Sequence, residues 1–323
     1  MARLFVFGST AVVSLDFTLY FDNLYSAFRV IITAFNHSMK FAICSELFEA
    51  WNTDKGFDFS RVFEYVKKIG YEGIEIAPFT INKDASRIPA ASRVEIRRLA
   101  EKNDLEITGL HWLLAKTEGL HLTSPESAIR QKTADYFLEL IRLCADLGGH
   151  FMVLGSPLQR NVLPGITQDQ AFGYAADVLT KLVPMLERCD VQIALEPLTP
   201  QETNFMTTAA EGVRLIETIG APRQIALHLD CKAMCSEAIP IPELIRANKE
   251  RMIYFHVNDP NRQGPGFGDL DYAPIMEVLL DVGYSGWVSV EPFDYSPGIE
   301  VLSEKSLAYT KRCLEEALAR RAK

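Results

Sequence analysis

The chain has 323 residues, 48% of them hydrophobic and 23% charged, which is the composition of a globular protein with little room for extensive disorder. Its formal net charge of −9 argues against a nucleic-acid partner, because phosphate binding needs a basic face. The six cysteines (Cys44, Cys144, Cys189, Cys231, Cys235 and Cys313) form no CxxC pair. They read as ordinary thiols of a reducing, cytoplasmic compartment, not as a disulfide framework or a zinc site.

Residues 1–38 differ from the remainder: they are apolar and aromatic, yet Asp16, Asp22 and Arg29 interrupt them. Their longest uncharged run, Leu4 to Leu15, is about 12 residues, short of the ~20 that span a membrane, so no membrane partner is expected. No small-residue cleavage site follows a compact apolar core. The character changes at Met39, which we take as the natural start, with 1–38 an upstream extension. An additional N-terminal helix and a weak secretion signal are the alternatives.

From Met39 onward, short β-rich runs alternate with longer helical patterns, the signature of a parallel sheet. Strands are predicted over 40–45, 73–77, 105–111, 150–155, 191–196, 224–230, 252–258 and 287–291. Eight strands, each followed by a helical stretch, favour one closed (β/α)8 TIM barrel over 39–323 rather than an open doubly wound sheet. Phe59, Val62, Phe63, Val66 and Ile69 form a helical stripe that stops at Gly70. Ser124-Pro125-Glu126 predicts an N-cap, a proline at the first helical position and an early acid, for a helix ending near Gly148-Gly149. Thr208 with Glu211 fits a capping box.

Parity within the last four strands is informative, because alternate residues face opposite sides. In 191–196 the aliphatic face is Val191, Ile193 and Leu195, opposed by Gln192, Ala194 and Glu196. In 224–230, Ile225, Leu227 and Leu229 oppose Ala226, His228 and Asp230. In 252–258, Ile253, Phe255 and Val257 oppose Tyr254, His256 and Asn258. In 287–291, Val288 and Val290 oppose Trp287, Ser289 and Glu291. The aliphatic faces must pack on the surrounding helices, so Glu196, Asp230, His256 and Glu291 point into the barrel at its carboxyl end, where barrel enzymes build their sites. Buried carboxylates there need a cation. Three acids and an imidazole suit a divalent ion, with Mn²⁺ foremost and Mg²⁺ or Co²⁺ as alternatives.

These segments, LEPLTPQE (195–202), HLDCKAM (228–234), FHVNDPNR (255–262) and VSVEPF (288–293), resemble the xylose-isomerase-like barrel superfamily. Within it they are most similar to the ketose 3-epimerases of the D-tagatose/D-psicose type. Intervals of 34, 26 and 35 residues separate the four candidate ligands, as they closely do in those epimerases. The resemblance implies a sugar isomerase or epimerase in which Glu196 and Glu291 are both ligands and catalytic bases. It also implies contacts from Glu202 and Arg262 to metal-bound water or to substrate oxygens, a small-molecule sugar substrate and homo-oligomers. One position departs: the family's substrate-binding histidine, three after the aspartate, is Ala233 here, with Lys232 as a neighbouring substitute. Related dehydration, aldose–ketose isomerisation or β-elimination on keto-sugars therefore stays open. An endonuclease IV-like nuclease is disfavoured by the acidic charge and the few histidines.

The remaining expectations are weaker bets. His111 is taken as a substrate contact, and Trp112 as either a sugar-stacking or a packing residue. Glu75 shares the inward face of its strand, with an active-site or an internal hydrogen-bonding role. His228 reads as a satisfied core histidine. Trp51 is either a cover for a sugar face or part of the packing, and the run Gly264–Gly268 reads as a flexible loop.

Overall fold

A computed structural model describes residues 39–54 and 56–322. The expectation for residues 1–38 lies outside the described residues. Eight parallel strands close into a barrel in sequence order, β1 pairing with both β2 and β8. They are β1 Lys40–Cys44, β2 Gly73–Ile76, β3 Glu106–Leu110, β4 Phe151–Leu154, β5 Gln192–Leu195, β6 Ile225–Asp230, β7 Met252–Val257 and β8 Trp287–Val290. Each falls inside its predicted window. Eight principal helices follow them in turn: α1 Phe59–Lys68, α2 Ala90–Lys102, α3 Ser127–Leu147, α4 Gln168–Thr180, α5 Ala209–Thr218, α6 Ile241–Asn248, α7 Ala273–Asp281 and α8 Ile299–Arg321.

The alternation in the strands separates two hydrophobic layers. Ile193, Leu195, Leu227, Leu229, Phe255, Val257, Val288 and Val290 join the large core between sheet and helices. Ala42, Val153, Ala194, Tyr254 and Trp287 form a separate small cluster that fills the barrel. The tyrosine hydroxyl this buries is satisfied by Thr108 Oγ1 at 2.8 Å. With its interior packed by these side chains, the barrel gathers its acidic groups at the carboxyl ends of the strands.

Two helix starts differ from expectation. The helix expected to open at Ser124-Pro125 begins at Ser127, because the Ser124 hydroxyl accepts the Glu126 amide and closes a turn ahead of it. Its C-terminus is as expected, with Gly148 in the left-handed region at φ 85°. At α5, Thr208 Oγ1 accepts from the Glu211 amide, but the Glu211 carboxylate takes the Thr207 amide rather than that of Thr208. Only half of the capping box is therefore formed.

The run Gly264–Gly268 is a packing device. A Cβ at Gly264 would lie 2.0 Å from Ser306 Oγ, and one at Gly266 2.7 Å from the Tyr309 ring. Both partners belong to α8. Trp51 closes a 3-10 turn (Ser45–Trp51) and packs edge-on against Tyr65 at 5.0 Å, under the Arg61 guanidinium. That is its packing role rather than a sugar-facing one. All six cysteines are free, and among the described residues no helix is long and apolar enough to cross a membrane.

Candidate active site

The four strands read from parity deliver their terminal polar residues to one buried level: Glu196, Asp230, His256 and Glu291 are each at most 2% exposed. Glu196 and Glu291 stand one residue past β5 and β8, and their amides still donate to Leu154 and Val257 of the neighbouring strands. The ladder thus fixes their backbone. Glu196 fits only because β4 is followed by a glycine: a Cβ on Gly155 would lie 1.6 Å from Glu196 Oε2.

Asp230 is held from two sides. Its Oδ1 accepts the Ala233 amide at 2.7 Å, capping the short helix Cys231–Met234, and its Oδ2 accepts Asn258 Nδ2 at 2.6 Å. Asn258 also donates to the Glu291 carbonyl and accepts the Lys232 amide through Oδ1. It ties together the ends of β6, β7 and β8. Sequence reading placed Asn258 on the inward face but gave it no role.

On the opposite side a chain of alternating carboxylates and imidazoles crosses the barrel. Glu75 Oε2 lies 2.9 Å from His256 Nε2, and His256 Nδ1 lies 3.0 Å from Glu291 Oε2. Glu291 Oε1 lies 3.2 Å from His111 Nδ1. Beyond it, His111 Nε2 is 2.8 Å from Glu46 Oε2, an ion-pair contact whose geometry is not that of an aligned hydrogen bond. Glu75 therefore acts inside the barrel, on His256. His111 is fully buried between two acids.

Charge explains the tension at this level. Burial pushes the Glu196 carboxyl well above the ordinary range, and the nearby charges of Glu291 and Asp230 push it further. Burial and Glu291 likewise raise Asp230, although Lys232 opposes them. Burial would also raise Glu291, but His256 and His111 outweigh it and hold that carboxyl below the usual range. His111 is pushed up to about 10: its burial works the other way and is overcome by Glu46 and Glu291. Glu196 and Asp230 are thus acids for which burial and neighbouring negative charge favour the protonated form, whereas Glu291 is compensated by imidazoles.

The donor chemistry fits a divalent metal. Atoms of Glu196, His228, Asp230 and His256 lie within 4.8 Å of one another, all of them buried. Three of the four ligands expected from sequence are in this set. Glu291 is turned toward the two imidazoles, one hydrogen bond away through His256, and groups instead with Cys44, Glu46 and His111. His228, read from sequence as a satisfied core histidine, has no hydrogen-bond partner on either ring nitrogen among the described residues. That expectation is corrected: Tyr254, its neighbour deeper in the barrel, gives its hydroxyl to Thr108 instead.

Above this level opens a cleft of about 700 Å³. Glu196 reaches it, and Glu202, Lys232, Arg262, Trp112 and Phe293 line it. Lys232 Nζ sits 2.7 Å from both oxygens of Glu202, so the two substrate candidates form one ion pair. Trp112 stacks on Phe293 (centroids 6.0 Å, interplanar 20°), giving the cleft a flat apolar wall. Arg262 and Trp112 both adopt left-handed backbone conformations, φ 72° and 49°. At Arg262 the conformation is fixed by its carbonyl, which accepts the Phe293 and Asp294 amides at 2.7 and 2.8 Å. Sequence reading missed Arg160, a buried guanidinium that donates to the carbonyls of Leu154 and Glu196 at 3.2 and 2.7 Å. It follows β4 in an irregular loop, where no periodicity marks it.

Comparison with known proteins places this geometry. The family described as xylose isomerase-like TIM barrel matches residues 63–313. A D-psicose 3-epimerase of Ruminiclostridium cellulolyticum is 27% identical over 248 residues, covering 75% of this chain and 81% of that protein. An L-ribulose 3-epimerase of Mesorhizobium japonicum is 30% identical over 207 residues, covering 62% and 68%. A solved L-ribulose 3-epimerase structure superposes with a TM-score of 0.75 at 21% identity, over 88% of this chain and 97% of that one, a likeness of fold.

Proposed function

As the chain belongs to the xylose isomerase-like TIM barrel family, we propose that it is a metal-dependent isomerase that epimerises a small ketose at the carbon beside its carbonyl. The observation that carries this is the convergence of Glu196, Asp230 and His256, with Glu291 one hydrogen bond away, beneath a cleft of sugar-binding size. The similarity to D-psicose and L-ribulose 3-epimerases supports the substrate class.

Glu196, Asp230, His256 and Glu291 would hold the ion, with Mn²⁺ foremost and Mg²⁺ or Co²⁺ as alternatives for this oxygen-rich set. When bound, the ion supplies Lewis-acid stabilisation of the negative charge that develops on the substrate carbonyl. Glu196 and Glu291 leave β5 and β8, three strands apart around the mouth, from where the two carboxylates would reach a bound substrate from different sides. One group, as carboxylate, takes the proton from the carbon beside the carbonyl, the other, as carboxylic acid, gives its proton to the opposite face, and the configuration inverts. His111 fixes the orientation of Glu291 by its contact to Oε1, and Glu75 fixes His256 through the far ring nitrogen. The Glu202–Lys232 pair and Arg262 supply charged hydrogen-bonding groups for the sugar hydroxyls, and Trp112 with Phe293 an apolar face for the ring.

Position 233 is alanine, and its amide serves Asp230. The substrate contact that the resemblance implies for a histidine at that position falls here to the neighbouring Lys232, so the hydroxyl pattern accepted is expected to be this chain's own. The test is proton exchange in D₂O, with Mn²⁺-loaded protein and a panel of free ketoses followed by NMR. Deuterium at C3 together with the epimeric sugar is the expected result. Binding of Mn²⁺ with no exchange on any ketose would transfer the proposal to elimination or isomerisation of keto-sugars, for which keto-glycosides and inososes form the second panel.

A further inference from the structure

We propose that His228 is a direct ligand of the metal ion, so that the centre carries two imidazoles rather than one. The inference rests on reading the cluster as a metal centre. His228 lies two residues before Asp230 on the inward face of β6, one layer deeper in the barrel, and is fully buried. Its ring stands edge-on to that of His256, with centroids 4.2 Å apart and an interplanar angle of 76°. Neither nitrogen donates to or accepts from any described residue. A buried polar atom left in that condition costs roughly 1–3 kcal/mol, so an imidazole with both nitrogens idle calls for a partner.

The distances name that partner. His228 Nε2 lies 3.7 Å from Glu196 Oε1, too far for a hydrogen bond. It is a natural separation for two donors on one ion, since atoms each about 2.1 Å from a common centre are up to about 4.2 Å apart. A donor atom of His228 also falls within the 4.8 Å set made by Glu196, Asp230 and His256. With His228 added to Glu196, Asp230, His256 and Glu291, two imidazoles beside the carboxylates shift preference away from Mg²⁺ and toward Mn²⁺, Co²⁺, Fe²⁺ or Zn²⁺.

The experiment is pulsed EPR on the Mn²⁺-loaded protein, counting directly coordinated imidazole nitrogens, with Mn²⁺ affinity measured alongside. Two coupled nitrogens are expected in the natural protein. His228→Gln should leave one and weaken Mn²⁺ binding at least about tenfold, while His111→Gln should keep two. If His228→Gln does not fold, His111→Gln decides alone, since His228 and His256 are then the only histidines left in the clusters described. One coupled nitrogen in the natural protein, or a His228→Gln variant with unchanged spectrum and affinity, overturns the proposal and leaves the metal centre standing. Failure of the natural protein to bind Mn²⁺ would bring down both.

Discussion

The two halves of the barrel mouth are built from the same strand-end level but are used differently. Strands β5 to β8 end in Glu196, Asp230, His256 and Glu291, and the segments after them supply Glu202, Lys232, Arg262 and Phe293 to the cleft. From the first three strands come Glu46, Glu75 and His111, none of which lines the cleft. Instead Glu75 grips the back of His256, His111 that of Glu291, and Glu46 backs His111. On the proposed reading, one half presents the charged groups to a substrate and the other, apart from Trp112 after β3 in the apolar wall, fixes the angles at which they are presented. A metal-binding imidazole needs its second nitrogen held if the first is to point correctly, and a carboxylate acting as base needs its idle oxygen held. The asymmetry therefore follows from the chemistry rather than from the fold, which is nearly eight-fold regular.

If this division is right, substitutions in the two halves should separate. The largest effect is expected for Glu291→Gln, which keeps the size of the side chain but removes the base and one of its two acceptor oxygens. Proton exchange at C3 should fall by roughly 10²–10⁴-fold, the usual contribution of a positioned acid–base group, with the fold intact by circular dichroism. Next comes Gly155→Ala. The added methyl would meet Glu196 Oε2 at 1.6 Å, so the carboxylate must move. A displacement of that order should cost about 10²-fold in kcat, measured by steady-state kinetics, while substitution at the exposed Gly173 leaves kcat unchanged.

Glu75→Gln tests the supporting half. Mn²⁺ affinity by calorimetry should weaken by about 10–100-fold although the residue touches neither cleft nor ion. An unchanged affinity together with a lowered Tm would reduce Glu75 to a packing role and dissolve the comparison. The smallest effect is expected far below the mouth, at the exposed Lys40–Glu106 pair. Lys40→Ala should change stability by no more than about 1 kcal/mol in urea unfolding, with activity untouched.

Legibility in the sequence divides along the same line. The inward direction of Glu196, Asp230, His256 and Glu291 could be read because each stands at or near the end of a strand whose apolar alternation is unbroken in the sequence, so parity alone aims them inward. Glu75 was half legible for the same reason: its direction was clear, its partner was not. Glu46 lies in a 3-10 turn, and His111 and Arg160 follow their strands in loops, where side-chain direction has no period to read. His228 was read for direction correctly and for circumstance wrongly. A core histidine is normally satisfied, and only the packing around it could reveal that both its nitrogens stand idle.

The sequence by itself determined the number, order and facing of the strands, and through them which acids enter the barrel. Periodicity is a local property of the chain, and a closed parallel sheet turns it directly into inside and outside. What only the tertiary structure decided is which inward groups meet. The pairing of Glu75 with His256 spans 181 residues, and that of His111 with Glu291 spans 180. Those contacts depend on barrel closure and on the stagger between non-adjacent strands, which no local pattern encodes.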